Sequence, residues 1–416
     1  EATRDVDMTV SAWPRIKHVP ASFYHGGNDR GVAIIDDLLI KTDDPAEPAR
    51  LQAALTARCV SRGGKPVKMM IIETEGKWGG LFLQRSPDRV TLTVTLEQHV
   101  VQSVMKWMPE VLTSGKRPPE VPEGTALRKA LDGLELEEGD GPLSGGQKDV
   151  QSLTGDLRWM VRILVRLTRG VHMLSCVAAR AKVPHARWAA LGMLYQAYVY
   201  RSEGLTYGGG FGITTLTGAL KGTMRSEAKG GAVHTVDAEQ MLRGGAPVPP
   251  QGACDATWNS GEAGDKDVYA LAMTVNGAAT LIELKRAGVA QGSSAAAEAR
   301  GLSKLTDRAL YQRVVASVFG LPLDGATMLL CDAAAALRAA MGETSVVRMR
   351  HELRRLAIIT QHVAEGETAL GHLPDAVNFV DFLTKWVKQA KVEESVAYLT
   401  GAVARAAHAA LGAGGD

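Results

Sequence analysis

Aromatic residues are scarce in this 416-residue chain, at 5% of the total, with 6 Phe and 8 Tyr against 45 Gly. That balance points to segments that connect more than they pack. Cysteine is scarcer still. Cys59, Cys176, Cys254 and Cys331 stand far apart with no short pair spacing, which speaks against a zinc cluster and a disulfide framework and fits a reduced, intracellular compartment. There is no run of about 18 apolar residues, so no membrane-spanning helix is expected, and no basic-then-apolar leader. An excess of one charge is also lacking. Lys plus Arg (47) against Asp plus Glu (45) leaves +2, so any nucleic acid has to be held by local basic patches. What is present is a globular composition, 45% hydrophobic and 22% charged, in a chain long enough for at least two packed units. It begins at Glu1 and not at Met, as expected of a processed or truncated chain, which leaves cytoplasm, nucleus and organelle undistinguished.

Residues 31–40, Gly-Val-Ala-Ile-Ile-Asp-Asp-Leu-Leu-Ile, are an apolar run broken by two acids and read as strand, tight turn, strand. A helical period follows over 45–58, then a β-pair over 67–74 and 79–84, then an amphipathic helix over 95–108. Residues 109–148 gather Pro118, Pro119, Pro122, Glu135, Glu137 and Glu138 and read as an irregular excursion. Residues 150–201 read as helical almost throughout. Leu157, Val161, Leu164 and Val165 share a face there, and Arg158, Arg162, Arg166 and Arg169 form either a solvated face or a set of phosphate contacts. The Gly- and Pro-rich stretch 208–252 reads as a linker; its Gly208-Gly209-Gly210 lacks the strand-to-helix setting and the Lys of a phosphate loop.

The C-terminal part has the clearest order. A strand ending at Cys254-Asp255, an alternating strand over 268–275, the turn pair Asn276-Gly277 and a strand over 278–284 predict three antiparallel strands. A helix over 295–319, an apolar strand 328–331 ending at Asp332, a short Ala-rich helix, a basic helix over 349–364, a strand over 367–373 and a closing helix over 375–390 complete a βββαβ(αα)βα order. Cys254 and Cys331 each precede an acid, so a strand would turn the thiol away from the carboxylate, and both read as core fillers. His351 and His372 read as hydrogen-bonded structural residues. Arg348, Arg350, Arg354 and Arg355 on the basic helix either track a nucleic-acid backbone or solvate the helix.

Four acids occupy telling places: Asp255 and Asp332 at strand ends, Glu298 in the first turns of a helix, and Asp381 in the last helix. Such a cluster is costly without a cation, because like charges raise each other's pKa. Two magnesium ions about 4 Å apart are the standard device by which carboxylates activate water and stabilise the leaving oxygen in phosphodiester hydrolysis.

Cys-Asp-Ala-Thr-Trp at 254–258, Gly-Asp-Lys-Asp at 264–267, Val-Asn-Gly at 275–277, Ser-Ser-Ala-Ala-Ala-Glu-Ala at 293–299, Leu-Cys-Asp at 330–332, Arg-His-Glu-Leu-Arg at 350–354 and Asn-Phe-Val-Asp-Phe-Leu-Thr-Lys at 378–385 follow one another in that order. In both order and spacing the stretch resembles the ribonuclease H domain of copia-type retrotransposon polyproteins. The resemblance implies a ribonuclease H-like domain with a five-stranded mixed sheet and flanking helices. It further implies that Asp255, Glu298, Asp332 and Asp381 hold two Mg2+ ions for hydrolysis of the RNA strand of an RNA–DNA hybrid, leaving a 3′-hydroxyl. Ala295-Ala296 stand where that family has Thr-Glu, and Ala299 where it has an aromatic residue.

Upstream, Ile34-Ile35-Asp36-Asp37-Leu38-Leu39-Ile40 followed by Asp43-Asp44-Pro45 resembles the reverse-transcriptase palm hairpin, in which the family carries Tyr-Val-Asp-Asp. Leu153 to Leu167 with Thr168-Arg169, Pro184 to Trp188 and Tyr198 to Tyr207 resemble the helical connection, with Arg169-Gly170-Val171 in place of the family's Arg-Pro-Asp. Only 35 residues precede Asp36, too few for fingers and a third palm carboxylate. Asp36 and Asp37 are therefore expected to be a vestigial polymerase metal site, with no reverse transcription by this chain alone. The expected chain is α/β (α+β): a palm remnant over 1–108, an irregular excursion and helical connection over 109–207, a linker over 208–252, a ribonuclease H-like domain over 253–400 and an Ala/Gly-rich tail over 401–416. Two functions are weighed. One is a hybrid-cutting nuclease; the other is a domesticated, inactive copy serving as a structural or RNA-binding subunit of a larger ribonucleoprotein. The expected partner is RNA or an RNA–DNA hybrid, and neither a membrane nor a small-molecule substrate is expected.

Overall fold

The computed structural model describes residues 46–61, 74–87, 91–137, 142–208, 251–258, 267–287, 292–318, 325–342 and 351–402, the backbone of three strands between 22 and 41, and a few single residues between 44 and 66. Two compact units result, one of residues 1–92 with 311–323, the other of residues 93–310 with 324–416.

In the first unit, β1 (Ser22–His25), β2 (Asp29–Ile34) and β3 (Asp37–Lys41) form an antiparallel sheet in that order. Ile34 pairs with Asp37, so the strand–turn–strand expected over 31–40 is the β2–β3 hairpin. Asp36 lies outside the described residues, as does the side chain of Asp37. Asp44 starts helix α1 (Glu47–Ser61) by accepting the Ala46 N–H on its side chain at 2.8 Å. Strands β4 (Glu75–Trp78) and β5 (Leu81–Arg85) form a hairpin. Gly79 and Gly80, at φ 57° and 78°, make the two-residue left-handed turn that fixes its register, within the β-pair read from sequence. Residues 67–73 lie outside the described residues.

The second unit joins a helical layer to a five-stranded sheet. Strand β6 (Thr91–Thr95) leads into α2 (Glu97–Trp107), followed by α3 (Pro109–Ser114), α4 (Gly124–Asp132), α5 (Gly145–Met160), α6 (Thr168–Val177), α7 (Val183–Val199) and β7 (Gly204–Gly208). The stretch 109–148 thus carries two helices and the start of a third. Leu127, Ala130 and Leu131 bury one face of α4, and a Ser144–Gln147 capping box starts α5. The helical run 150–201 is divided, because the β-branched sequence Val161-Arg162-Ile163-Leu164-Val165 tightens into a 3-10 turn at Val165–Leu167 and Pro184 opens a new helix. Val104, Leu131, Leu153, Leu157, Leu164, Leu174 and Leu194 meet in one core. The tight turn also swings Arg166 inward. Its side chain is 2% exposed, held by Glu203 and by Glu393 at 3.0 Å, and stacked 3.5 Å from Tyr200, which rules out the solvated face or phosphate contact weighed for it. Arg162 lies over Trp159, and Arg169 over Trp386.

The sheet is built from β8 (Gln251–Thr257), β9 (Val268–Val275), β10 (Ala278–Arg286), β11 (Thr327–Cys331) and β12 (Thr368–His372), in the order β10-β9-β8-β11-β12. Strands β8, β9 and β10 run antiparallel, and β11 lies parallel to β8 and β12. Asn276 and Gly277, at φ 49° and 90°, form the hairpin turn expected from their sequence. Helices α8 (Ser294–Val318), α9 (Ala334–Ala340) and α10 (Leu353–Ala364) cover one face, packing Ala299, Leu302, Leu305, Leu337 and Ile359 against Cys254, Leu271, Leu329 and Cys331. On β8 and β9 also packs α11 (Asp381–Thr384), and α12 (Gln389–Leu399) follows. The single closing helix expected over 375–390 is broken. Asn378 is fully buried and accepts the Val380 N–H on its side chain at 3.1 Å, and Lys385 is extended at φ −137°. Among the described residues no helix is long and apolar enough to cross a membrane.

Candidate metal centre

Strand pairing places the first two acids. Cys254 and Cys331 are Cα partners across parallel β8 and β11, so Asp255, still paired with Ala270 within the longer β8, stands beside Asp332, the first residue past the end of β11, at the sheet's carboxyl edge. Glu298, in the second turn of α8, reaches the same edge and accepts the Ala256 N–H on Oε1 at 3.0 Å. A carboxylate oxygen from each of Asp255, Glu298 and Asp332 lies within 4.8 Å of the other two. A second triad, with the same spacing, comprises Asp332, Asp375 and Asp381. Asp332 belongs to both. The structure therefore brings all four sequence-derived acids to one place and adds Asp375, whose only sequence signal is its position just after Pro374 at the end of β12.

Each carboxylate is fixed by a neighbour. Thr384 Oγ1 donates to Asp255 Oδ2, and Asn378 Nδ2 donates to Asp332 Oδ2 at 3.3 Å. His372 Nε2 bonds the Asp332 backbone carbonyl at 2.8 Å, which gives His372 the structural role read for it. Lys385 Nζ is 2.8 Å from Asp381 Oδ1 and 3.8 Å from Asp255 Oδ1, and Lys391 Nζ bonds Asp381 Oδ2 at 2.5 Å. Asp255 Oδ1 is buried and accepts no hydrogen bond from the described residues.

Burial pushes the Asp255 carboxyl up to about 7, against the opposing Thr384 hydrogen bond and Lys385 charge. Burial and the nearby Cys331, Asp255 and Asp332 push Glu298 up to about 11, and burial likewise raises Asp332. Although burial pulls the other way, Asp381 and Asp255 raise Lys385. These are acids held short of positive charge. A set made only of oxygens, one of them buried and without a hydrogen bond among the described residues, fits a hard divalent cation such as Mg2+. The fit follows from the side chains themselves.

The basic helix is less informative. Arg348 and Arg350 lie outside the described residues, Arg354 is exposed, and Arg355 is paired with the buried carboxylate of Glu352.

No family model matches this chain, and no curated protein matches it. Among solved structures, it is similar to the N-terminal RNase H domain of rv2228c from Mycobacterium tuberculosis, solved as a fusion protein with maltose binding protein. That similarity is at 19% identity, over 35% of this chain and 98% of that one, with a TM-score of 0.24. The sheet order and flanking helices described above make a mixed α/β fold around a five-stranded mixed sheet.

Proposed function

We propose that this protein is a retroelement-derived, ribonuclease H-like nuclease that hydrolyses the RNA strand of an RNA–DNA hybrid. The single observation that carries the reading is the sharing of Asp332 between two carboxylate triads at the sheet's carboxyl edge, which is two adjoining sets of hard ligands. Asp255, Glu298 and Asp332 would hold one ion, and Asp332, Asp375 and Asp381 the other. Two Mg2+ ions held there would supply an activated water and stabilisation of the leaving 3′-oxygen. The chain's own residues do the positioning: Thr384 aims Asp255, Asn378 aims Asp332, and the Ala256 N–H holds Glu298. Lys385, half-exposed beside Asp255 and Asp381, adds a positive charge facing an incoming phosphodiester. The motifs at 254–258, 330–332 and 378–385, which resemble those of copia-type polyproteins, support the same substrate class.

The second reading is an inactive, RNA-binding or structural subunit of a ribonucleoprotein, and one observation favours it. Asp381 is already neutralised on both oxygens by Lys385 and Lys391. Cleavage of a labelled RNA–DNA hybrid by the full chain in Mg2+, beside Asp332→Asn, separates the two. Cleavage lost in the variant sustains the nuclease, and binding of the hybrid without cleavage by either protein sustains the scaffold.

A further inference from the structure

Behind the oxygen cluster lies a different donor set. Cys254 and Cys331, fully buried and opposite each other on β8 and β11, both face Glu298. Their sulfurs and a Glu298 oxygen all lie within 4.8 Å of one another, and the Cys331 thiol approaches Glu298 Oε2 at 3.7 Å. Sequence alternation turns these thiols away from Asp255 and Asp332, as core fillers, but Glu298 sits at the strand ends where it meets both faces. One carboxylate thus borders a hard all-oxygen cluster on one side and a pair of soft thiols on the other.

We propose that Cys254, Cys331 and Glu298 form a further cation site beside the magnesium ligands, selective for thiophilic divalent ions of the zinc and cadmium class. Filling it withdraws Glu298 from the magnesium ligands and shuts the centre. The binding stands on this geometry alone, while the inhibition rests on the nuclease reading. Thiolates favour zinc-class ions, whereas the carboxylates of the adjoining set favour magnesium, so the two sites select different metals from the same solution. Tetrahedral zinc with Zn–S bonds of about 2.3 Å needs its sulfurs roughly 3.8 Å apart, and the two sulfurs here lie within 4.8 Å of each other. The core around the thiols is closed, so the ion reaches them past Glu298, from the edge where Asp332 is half-exposed. Each ion bound displaces the two thiol protons and the Glu298 carboxyl proton to solvent and forms two metal–sulfur bonds and one metal–oxygen bond, with no oxidant or reductant involved.

The test uses the full chain with Cys59→Ser and Cys176→Ser, so that Cys254 and Cys331 are the only thiols. Metal-free protein is titrated with Cd2+ while thiolate-to-cadmium charge-transfer absorbance, protons released to a weak buffer and native mass are read together. One Cd2+ per chain, three protons released and saturating thiolate absorbance are expected. Absorbance should be lost in Cys331→Ser, and affinity should weaken at least about tenfold in Glu298→Gln. Absence of thiolate absorbance in the two-thiol protein overturns the site whatever the variants do. In parallel, hybrid cleavage in Mg2+ is titrated with Zn2+. Inhibition at about one equivalent that is lost on Cys254→Ser with Cys331→Ser sustains the shared-ligand mechanism, and equal inhibition of both proteins overturns it. Failure of the parent to cleave at all counts against the nuclease reading, and the absorbance titration still decides the site.

Discussion

Asp255 and Asp332 stand side by side because Cys254 and Cys331, one residue earlier, are paired across two parallel strands. Parallel register points equivalent residues of neighbouring strands to the same side, so an acid one residue after each paired cysteine is enough to bring two carboxylates together. The arrangement opposes electrostatics. Burial, with the charges of Asp332 and Asp381, drives Asp255 to about 7, and burial, with Cys331, Asp255 and Asp332 nearby, drives Glu298 to about 11. The proximity is held by the sheet, and a cation would relieve it.

The pH dependence of stability follows from those shifts. Unfolded Asp and Glu release their protons near pH 4, whereas the folded chain keeps the Asp255 proton until about 7 and the Glu298 proton until about 11. The folded state therefore binds more protons than the unfolded state above pH 4, and stability falls as pH rises. In chelator, the melting temperature should decline between about pH 4 and 7 and continue down more slowly above. Asp255→Asn and Glu298→Gln should flatten the decline. Added Mg2+ should raise the melting temperature more at pH 8 than at pH 5, since protons and metal compete for the same oxygens.

The two residues that aim the carboxylates are separable from the ligands. Thr384→Val removes the donor to Asp255, and Asn378→Ala the donor to Asp332. Each should raise the Mg2+ concentration needed for half-maximal hybrid cleavage by about 10–100-fold, with a smaller effect at saturating metal. Asp375→Asn removes a ligand of the second triad, and its loss should exceed about a hundredfold at all Mg2+ concentrations.

Much of this centre was legible in the chain. The Asn276-Gly277 turn, the apolar run ending at Asp332 and the acid before Thr384-Lys385 are local signals, and local signals survive into three dimensions. Asp375 was not legible, because it enters the cluster through the buried Asn378 turn, which breaks a run that otherwise reads as helix. Nor was the role of Arg166. Its partners, Glu203 and Glu393, lie 37 and 227 residues away, and helical periodicity cannot register a partner that only tertiary packing supplies. The thiols were read correctly as core, but alternation along a strand says nothing about a helix residue that reaches the strand ends from outside the sheet.

Arg166 makes its own prediction. A guanidinium with a 2% exposed side chain, bonded to Glu203 and Glu393 and raised further by both despite the opposing burial, fastens the helical layer to α12. Arg166→Met leaves two carboxylates facing each other without a cation. Since both are partly exposed, the cost should fall near the lower end for broken buried pairs, about 3 kcal/mol in denaturant unfolding. Glu393→Gln, which keeps one hydrogen bond and loses the more exposed partner, should cost under about 1 kcal/mol.

The end of α12 is tied to the sheets by Gly401. Its φ is +81°, and a Cβ built there would lie 2.2 Å from the Thr206 carbonyl oxygen and 3.2 Å from that of Gly277. The neighbouring Thr400 carbonyl accepts the Thr206 N–H at 3.0 Å, so β7 and the helix end are joined through backbone that cannot yield as a side chain would. Gly401→Ala brings both the left-handed penalty of about 1–2 kcal/mol and a backbone collision that only separation of β7 from the helix end relieves. Unfolding free energy should drop by more than about 2 kcal/mol, and amide exchange at Thr206 should accelerate while exchange at Leu329 and Leu330 in β11 follows only the global loss. Equal acceleration at both would mean that this junction carries no stability of its own.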